Sequence, residues 1–156
     1  PGVSGDEVRT ATFLEATTAA GLGDEVAVVA GGASEAAGAK VIEDALKHHP
    51  DATAVIAFND RSAQGVVAHA RLLGKRIPED LAVVGFDNSE QAELPYLQLT
   101  SLAQDPAQLA STAVEMVVGR VDPTAEGEAP RTGEHRILPT KLVVRSSSGD
   151  PAPSSR

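Results

Sequence analysis

Asp87 directly follows the run Leu81-Ala82-Val83-Val84-Gly85-Phe86, and Asn59 and Asp60 directly follow Ala54-Val55-Ile56-Ala57-Phe58. A short unbroken apolar run suits a strand buried on both faces, as in a parallel sheet covered by helices. Ligands of open α/β sheets sit beyond the carboxyl ends of the strands, so Asp87 and Asn59 are expected on one sheet edge. A carboxylate accepts hydrogen bonds from two adjacent hydroxyls, and an amide donates and accepts at once. Together they suit a neutral polyhydroxylated ligand. Asn59 and Asp60 have a second reading, because an Asx residue ahead of a helix is also its natural N-cap, and spacing alone leaves the two open. For Asp87 the alternative is a loop carboxylate satisfied by backbone amides. Gly85 is expected to keep the approach to Asp87 free of a side chain.

Other chemistries lack their residues. His48 and His49 close a helix, where a cation suits the dipole; His69 lies within the next helix and His135 in a late loop. No His-x-x-x-His spacing supports zinc. Gly38-Ala39-Lys40 and Gly74-Lys75-Arg76 both miss the Gly-Lys-Ser/Thr ending of a phosphate loop, so the glycines Gly31, Gly32 and Gly38 are read as turn and packing residues. No nucleophile elbow, Gly-x-Ser-x-Gly, occurs. No catalytic residue, metal or cofactor is expected. An α/β enzyme using Asp60 or Asp87 as a base is the reading that a pH-dependent turnover would revive.

The elements that must position these residues follow from pattern. Ser4-Gly5-Asp6-Glu7 has capping-box spacing, and a helix is predicted from about Asp6 to Ala20, with Phe13, Ala16, Thr17 and Ala20 on one face. Val26 to Ala30 reads as a short strand. Gly38, Val41, Ile42, Ala45 and Leu46 recur with helical period, as do Ala63, Val66, Val67, Ala70 and Leu73 ahead of a stop at Gly74. Strands are predicted at Ala54 to Phe58, Leu81 to Val84 and Leu99 to Leu102, with Ser89 to Gln98 irregular. Asp105-Pro106 opens a further helix, with Leu109, Ala113, Met116 and Val117 on its apolar face. Asp122 to Glu134 reads as a surface excursion, Arg136 to Arg145 as one or two extended segments broken at Pro139, and Ser146 to Arg156 as a disordered polar tail. The alternation calls for βαβ units and a largely parallel, doubly wound α/β sheet with flanking helices.

A chain of 156 residues suffices for one domain with a core. Its net charge of −9 repels a phosphate backbone, and no basic stripe compensates, so this polypeptide alone is a poor nucleic-acid binder. No apolar run approaches the roughly 20 residues of a membrane helix, so no membrane partner is expected. The opening residues do not read as a signal peptide and cysteine is absent, which makes a reducing cytoplasm the expected setting.

In order, Ala54-Val55-Ile56-Ala57-Phe58-Asn59-Asp60, Ala63-x-Gly65, Gly74-x-x-Ile77-Pro78-Glu79-Asp80-Leu81-Ala82-Val83-Val84-Gly85-Phe86-Asp87-Asn88, Leu99-Thr100-Ser101-Leu102-x-Gln104-Asp105 and Leu138-Pro139-Thr140-Lys141-Leu142-Val143-Val144-Arg145 resemble the effector-binding domain of LacI/GalR-type transcriptional regulators. The resemblance covers about Ser4 to Ser147, and its specificity lies in the ordered combination. It implies a bilobed, periplasmic-binding-protein-like fold that closes on a sugar or nucleobase and shifts the DNA affinity of an attached headpiece.

By the same resemblance Arg9 matches a ligand arginine, although Thr12 stands where a glycine is usual. Asn59 matches the ligand asparagine, Asp87 the aspartate that holds sugar hydroxyls, and Gln104 a ligand or hinge residue. Ala33 falls where many members carry an aromatic that stacks on the sugar ring; Phe58 or Phe86 is the expected replacement wall. The resemblance further implies a homodimer, contact with DNA only through a headpiece outside this chain, and a repressor acting in the cytoplasm. A transport-type sugar-binding protein of the same fold is the runner-up. The headpiece, the first half of the N-terminal lobe and the first strand of the C-terminal lobe are expected to precede Ser4. On that reading residues 1–147 are a portion of the effector-binding domain, comprising the C-terminal lobe plus the 105–121 helix of the other lobe, and 148–156 are a disordered tail.

Overall fold

The computed structural model describes residues 5–121 and 135–149. In chain order its elements are α1 (Gly5–Ala19), α2 (Glu35–His48), β1 (Ala54–Ile56), α3 (Asp60–Leu72), β2 (Ala82–Asp87), β3 (Thr100–Ala103), α4 (Pro106–Val121) and β4 (Lys141–Val143), with 3-10 turns at Gly23–Glu25, Glu90–Glu93 and Ser146–Ser148. The strands lie in the order β1-β2-β3-β4. β1, β2 and β3 run parallel and β4 is antiparallel to β3. The largely parallel sheet with flanking helices is thus present, made mixed by its last strand. Among the described strands the order follows the chain without a reversal.

The core forms where the sequence patterns agree with one another. Asn59 caps α3 by accepting from the Ser62 amide at 2.8 Å, and Ala63, Val66, Val67 and Ala70 follow on one buried face. Leu73, read onto that face, is the C-cap and is exposed. Gly74 ends the turn with φ 83°, a conformation that suits a residue without Cβ. Ile42 from α2, Leu81 and Val83 around β2, and Leu99 ahead of β3 close the same cluster. Each such side chain removed from water is worth about 1.5–3 kcal/mol. α2 and α3 approach closely because Gly38 meets the Ser62 backbone and Gly65 meets the Glu35 backbone; a Cβ at either position would collide with main chain.

The structure corrects several expectations. Val26 is extended (φ −114°, ψ 132°), but residues 26–30 pair with no strand among the described residues. The apolar run specified extension and could not supply a ladder partner, and β1 is itself paired on one side only. Val28 and Val29 consequently remain exposed. β1 stops at Ile56, although the Ala57 amide still donates to Val84 O at 2.8 Å. Of the one or two extended segments expected at 136–145, one is present, β4 after Pro139, with 135–140 irregular.

The polar tail is the largest correction. Ser147 is 1% exposed; its hydroxyl donates to Val83 O at 2.6 Å and accepts from the Thr100 amide at 2.8 Å. The Ser148 and Thr100 hydroxyls lie 2.6 Å apart. Small hydroxyl side chains there tie a 3-10 turn to β2 and β3, so composition that favours disorder in isolation is overridden by tertiary hydrogen bonds. The capping box at Ser4, the excursion at 122–134 and the tail from 150 onward lie outside the described residues.

Candidate functional site

Asp87 ends β2 and is paired in register with Ala103 of β3. That register sets Gln104, the next residue, beside it, and Gln104 Nε2 donates to Asp87 Oδ1 at 3.0 Å. Asp87 adopts φ 105° and Asn88 φ 50°, a left-handed pair that Asx residues tolerate better than others. Partial burial, and then the charge of Asp60, push the Asp87 carboxyl above its ordinary value, against the Gln104 hydrogen bond and the charge of Arg9. An open cavity of about 200 Å³ adjoins Gln104, lined also by Asp105, Leu109 and Pro139.

Arg9 reaches the same sheet edge from α1. Its guanidinium carbon lies 4.6 Å from the Phe58 ring centroid and 4.4 Å from that of Phe86. Its Nη1 donates to Phe58 O at 2.9 Å, and Asp6 Oδ1 lies 4.0 Å from Nη2. Two rings and one carbonyl therefore fix the guanidinium plane, leaving its remaining edge for other acceptors. Phe58 and Phe86, either of which the resemblance offers as a wall for a ligand ring, each turn a face toward Arg9. Ala33 lies exposed in a bend and carries only a methyl group.

Asn59 and Asp60 resolve differently. The Asn59 carbonyl oxygen caps α3, so the capping reading holds for that atom. Its side-chain nitrogen has no hydrogen-bond partner among the described residues and stays available at the sheet edge. Asp60 points inward and is 1% exposed. Its Oδ2 accepts from the Ser89 amide at 2.6 Å and the Ser89 hydroxyl at 2.8 Å, and its Oδ1 from the Ser101 hydroxyl at 2.5 Å. Gly85 is explained by this carboxylate: a Cβ there would collide with Asp60 Oδ1 and crowd Leu99. The glycine serves the buried acid, which corrects its sequence reading as a clear path to Asp87.

Arg9, Phe58, Phe86, Asp87 and Gln104 are thus brought together, with Asn59 on the same edge and Asp60 beneath it. Sequence reasoning missed Ser89, Ser101 and Arg145, which organise the loop after β2. A serine inside a short strand of a parallel sheet was the available signal, because a buried hydroxyl needs a partner.

The family model described as a periplasmic binding protein-like domain matches residues 1–148. An HTH-type transcriptional repressor PurR of Erwinia tasmaniensis is 32% identical over 144 residues, 92% of this chain and 41% of that protein. Among solved structures, a LacI transcriptional regulator from a Rhodococcus species is 34% identical with a TM-score of 0.79, covering 93% of this chain and 51% of that one. A LacI family transcriptional regulator from Enterococcus faecium with bound ribose is 28% identical with a TM-score of 0.74, covering 88% and 49%. The chain therefore spans between two fifths and about half the length of these three proteins.

Proposed function

The chain belongs to the periplasmic binding protein-like domain family, in the form that LacI-type transcriptional regulators carry as their effector-binding domain, and from that premise we propose that it is the sensing portion of a sugar-responsive repressor. The observation that carries this reading is a fixed donor beside a fixed acceptor: Arg9 held between Phe58 and Phe86, and the Asp87 carboxylate held by Gln104. Neighbouring hydroxyls of a neutral sugar satisfy both groups at once. Asn59 adds a donor from the end of β1, and Gln104, where β3 leaves for α4, is the hinge-side contact. Asp60 acts from below, through the loop. With Ala33 offering no ring and Arg9 covering one face of each phenylalanine, recognition rests on hydrogen bonds more than on stacking. That favours a sugar over a nucleobase, in keeping with the ribose bound by the Enterococcus faecium relative.

The whole protein then works by population shift: the sugar binds one arrangement of its two lobes better and so changes the DNA affinity of a headpiece beyond this chain. The regulator functions as a homodimer in the cytoplasm and has no catalytic step. Calorimetric titration of the intact regulator with ribose, cellobiose, lactose and purine bases tests the reading. A sugar is expected to bind and Asp87→Ala to abolish that binding; an Asp87→Ala protein that binds and releases operator like the wild type overturns it.

A further inference from the structure

The loop that carries Asp87 is held from two sides by residues that do not themselves face the site. From beneath, Asp60 takes the Ser89 amide and hydroxyl on one oxygen and the Ser101 hydroxyl on the other. The Ser101 oxygen in turn accepts from the Asn88 amide at 3.0 Å, so both amides that follow Asp87 lead to one buried carboxylate. From the far edge of the sheet, Arg145 Nη1 donates to Asn88 Oδ1 and to Leu99 O, each at 2.8 Å. Its Nη2 donates to Glu93 Oε1 at 3.0 Å, and its side chain is 11% exposed. Between these anchors lie two successive non-glycine residues with positive φ, Asp87 and Asn88. Such a conformation persists only where its surroundings over-determine it.

We propose that Asp60 and Arg145 are positioning residues for the sugar site, fixing from opposite sides the Asp87–Ser89 turn that presents the Asp87 carboxylate. The inference rests on the reading of Asp87 as ligand acceptor, and it assigns Asp60 an indirect role. It accounts for three features that ligand contact does not: the burial of Asp60, the need for glycine at 85, and the extension of the chain beyond β4 to deliver Arg145. It also makes the segment from β4 to Ser148 part of the site's support, since the Arg145 amide donates to Thr100 Oγ1 at 2.8 Å and its carbonyl accepts from the same hydroxyl at 2.9 Å.

The test compares the 156-residue chain with Asp60→Asn, Arg145→Lys and Ser89→Ala. Amide hydrogen exchange at Asn88 and Ser89 is read first. Asp60→Asn and Arg145→Lys are expected to speed it by about tenfold, the equivalent of one charge-assisted hydrogen bond, with α3 protection retained. Ser89→Ala, which removes a single hydroxyl, keeps the experiment decisive if either of the others fails to fold. The second readout is the NMR titration of the Asp87 carboxyl. Asp60→Asn removes a neighbouring negative charge, so its midpoint is expected to fall further than in Arg145→Lys, which loosens the same turn but leaves that charge in place. The third is ribose affinity, expected to drop about tenfold or more in both variants. Wild-type exchange at Asn88 and Ser89 in the folded variants overturns the proposal. If the wild type binds no sugar, the reading of the ligand fails, and the exchange and titration readouts decide the positioning role alone.

Discussion

Asp87 and Arg9, acceptor and donor of the proposed site, stand on two regions that are held in very different ways. Asp87 extends from β2, whose Val83 is fully buried and whose neighbours Leu81, Leu99 and Val66 fill the core. Its loop is anchored by Asp60, Ser101 and Arg145. Arg9 extends from α1, in which no residue from Asp6 to Ala19 is buried, and is held by two ring faces and one carbonyl. α4 resembles α1 in this respect: Leu109, Val114 and Val117 are all more than half exposed. One flank of the site is thus a packed wall and the other is set mainly by its own contacts. Under the proposed population shift, the packed flank supplies the reference frame and the open flank the part free to shift.

The contrast breaks most sharply at the glycine contact between α2 and α3. Gly65→Val places side-chain atoms where Glu35 main chain lies, and neither helix can yield without opening the cluster around Ile42. A loss of about 3 kcal/mol, at the upper end of overpacking costs, is expected and is read from the urea midpoint. A near-neutral Gly65→Val would mean that the wall is not rigid and would end the comparison.

Cavity formation is a gentler probe of the same difference. Leu99 is 0% exposed and Val117 60%. Leu99→Ala is expected to cost about 3 kcal/mol, and Val117→Ala less than about 0.5 kcal/mol, both by chemical denaturation with unchanged slope. If Val117→Ala costs as much as Leu99→Ala, the α4 face is covered in solution and the open flank is smaller than it looks.

The packed flank was also the legible one. The 3.6-residue recurrence of Ala63, Val66, Val67 and Ala70, the cap at Asn59 and the apolar run ending at Asp87 are local signals that tertiary structure left in place. Gln104 was singled out only through the family resemblance, as a ligand or hinge residue, and the register of β2 with β3 that sets it beside Asp87 is a finding of the structure. What sequence did not show depends on partners far along the chain. Val26 to Ala30 has the composition of a strand, but a strand is defined by a second one, and extension alone did not provide it. Ser146 to Ser148 has the composition of a tail, yet its hydroxyls meet Val83 and Thr100, 64 and 47 residues away for Ser147. Asp60 sits beside Asn59 in sequence and on the opposite side of the loop in space, because a cap residue faces outward while the first residue of α3 turns toward the sheet.

Acidity separates the flanks by charge. The Asp87 carboxyl stands above its ordinary value through partial burial and the Asp60 charge. A group whose folded pKa is raised contributes stability that is present below the unfolded pKa and lost as pH rises through the folded one. In its ionised form Asp87 is therefore slightly unfavourable to the fold. Asp87→Asn is expected to raise the melting temperature a little at pH 7 and to leave it unchanged near pH 3, while weakening sugar binding at pH 7 and changing it little near pH 3, where the wild type has already lost its carboxylate. In the wild type, binding is expected to weaken as pH falls through the raised Asp87 value, earlier than an ordinary carboxylate would require. Calorimetry across pH 3–7 checks both; a melting temperature lowered at pH 7 by Asp87→Asn would contradict the assigned sign.

The smallest effect tests the open flank directly. Arg9 over Phe86 is a cation–π contact at a partly exposed site, where such pairs contribute about 0.5–1 kcal/mol. A double-mutant cycle of Arg9→Met and Phe86→Leu isolates it, since each change keeps an apolar side chain in place and the two residues are in contact. A coupling of about 0.5–1 kcal/mol is expected in the stability of the free chain. Coupling in ribose affinity is expected to be larger, because the stack that contributes little to folding also orients the guanidinium edge. If the two couplings are equal, the rings only store Arg9 against the surface, and the orientation of the donor is set by the sugar when it binds.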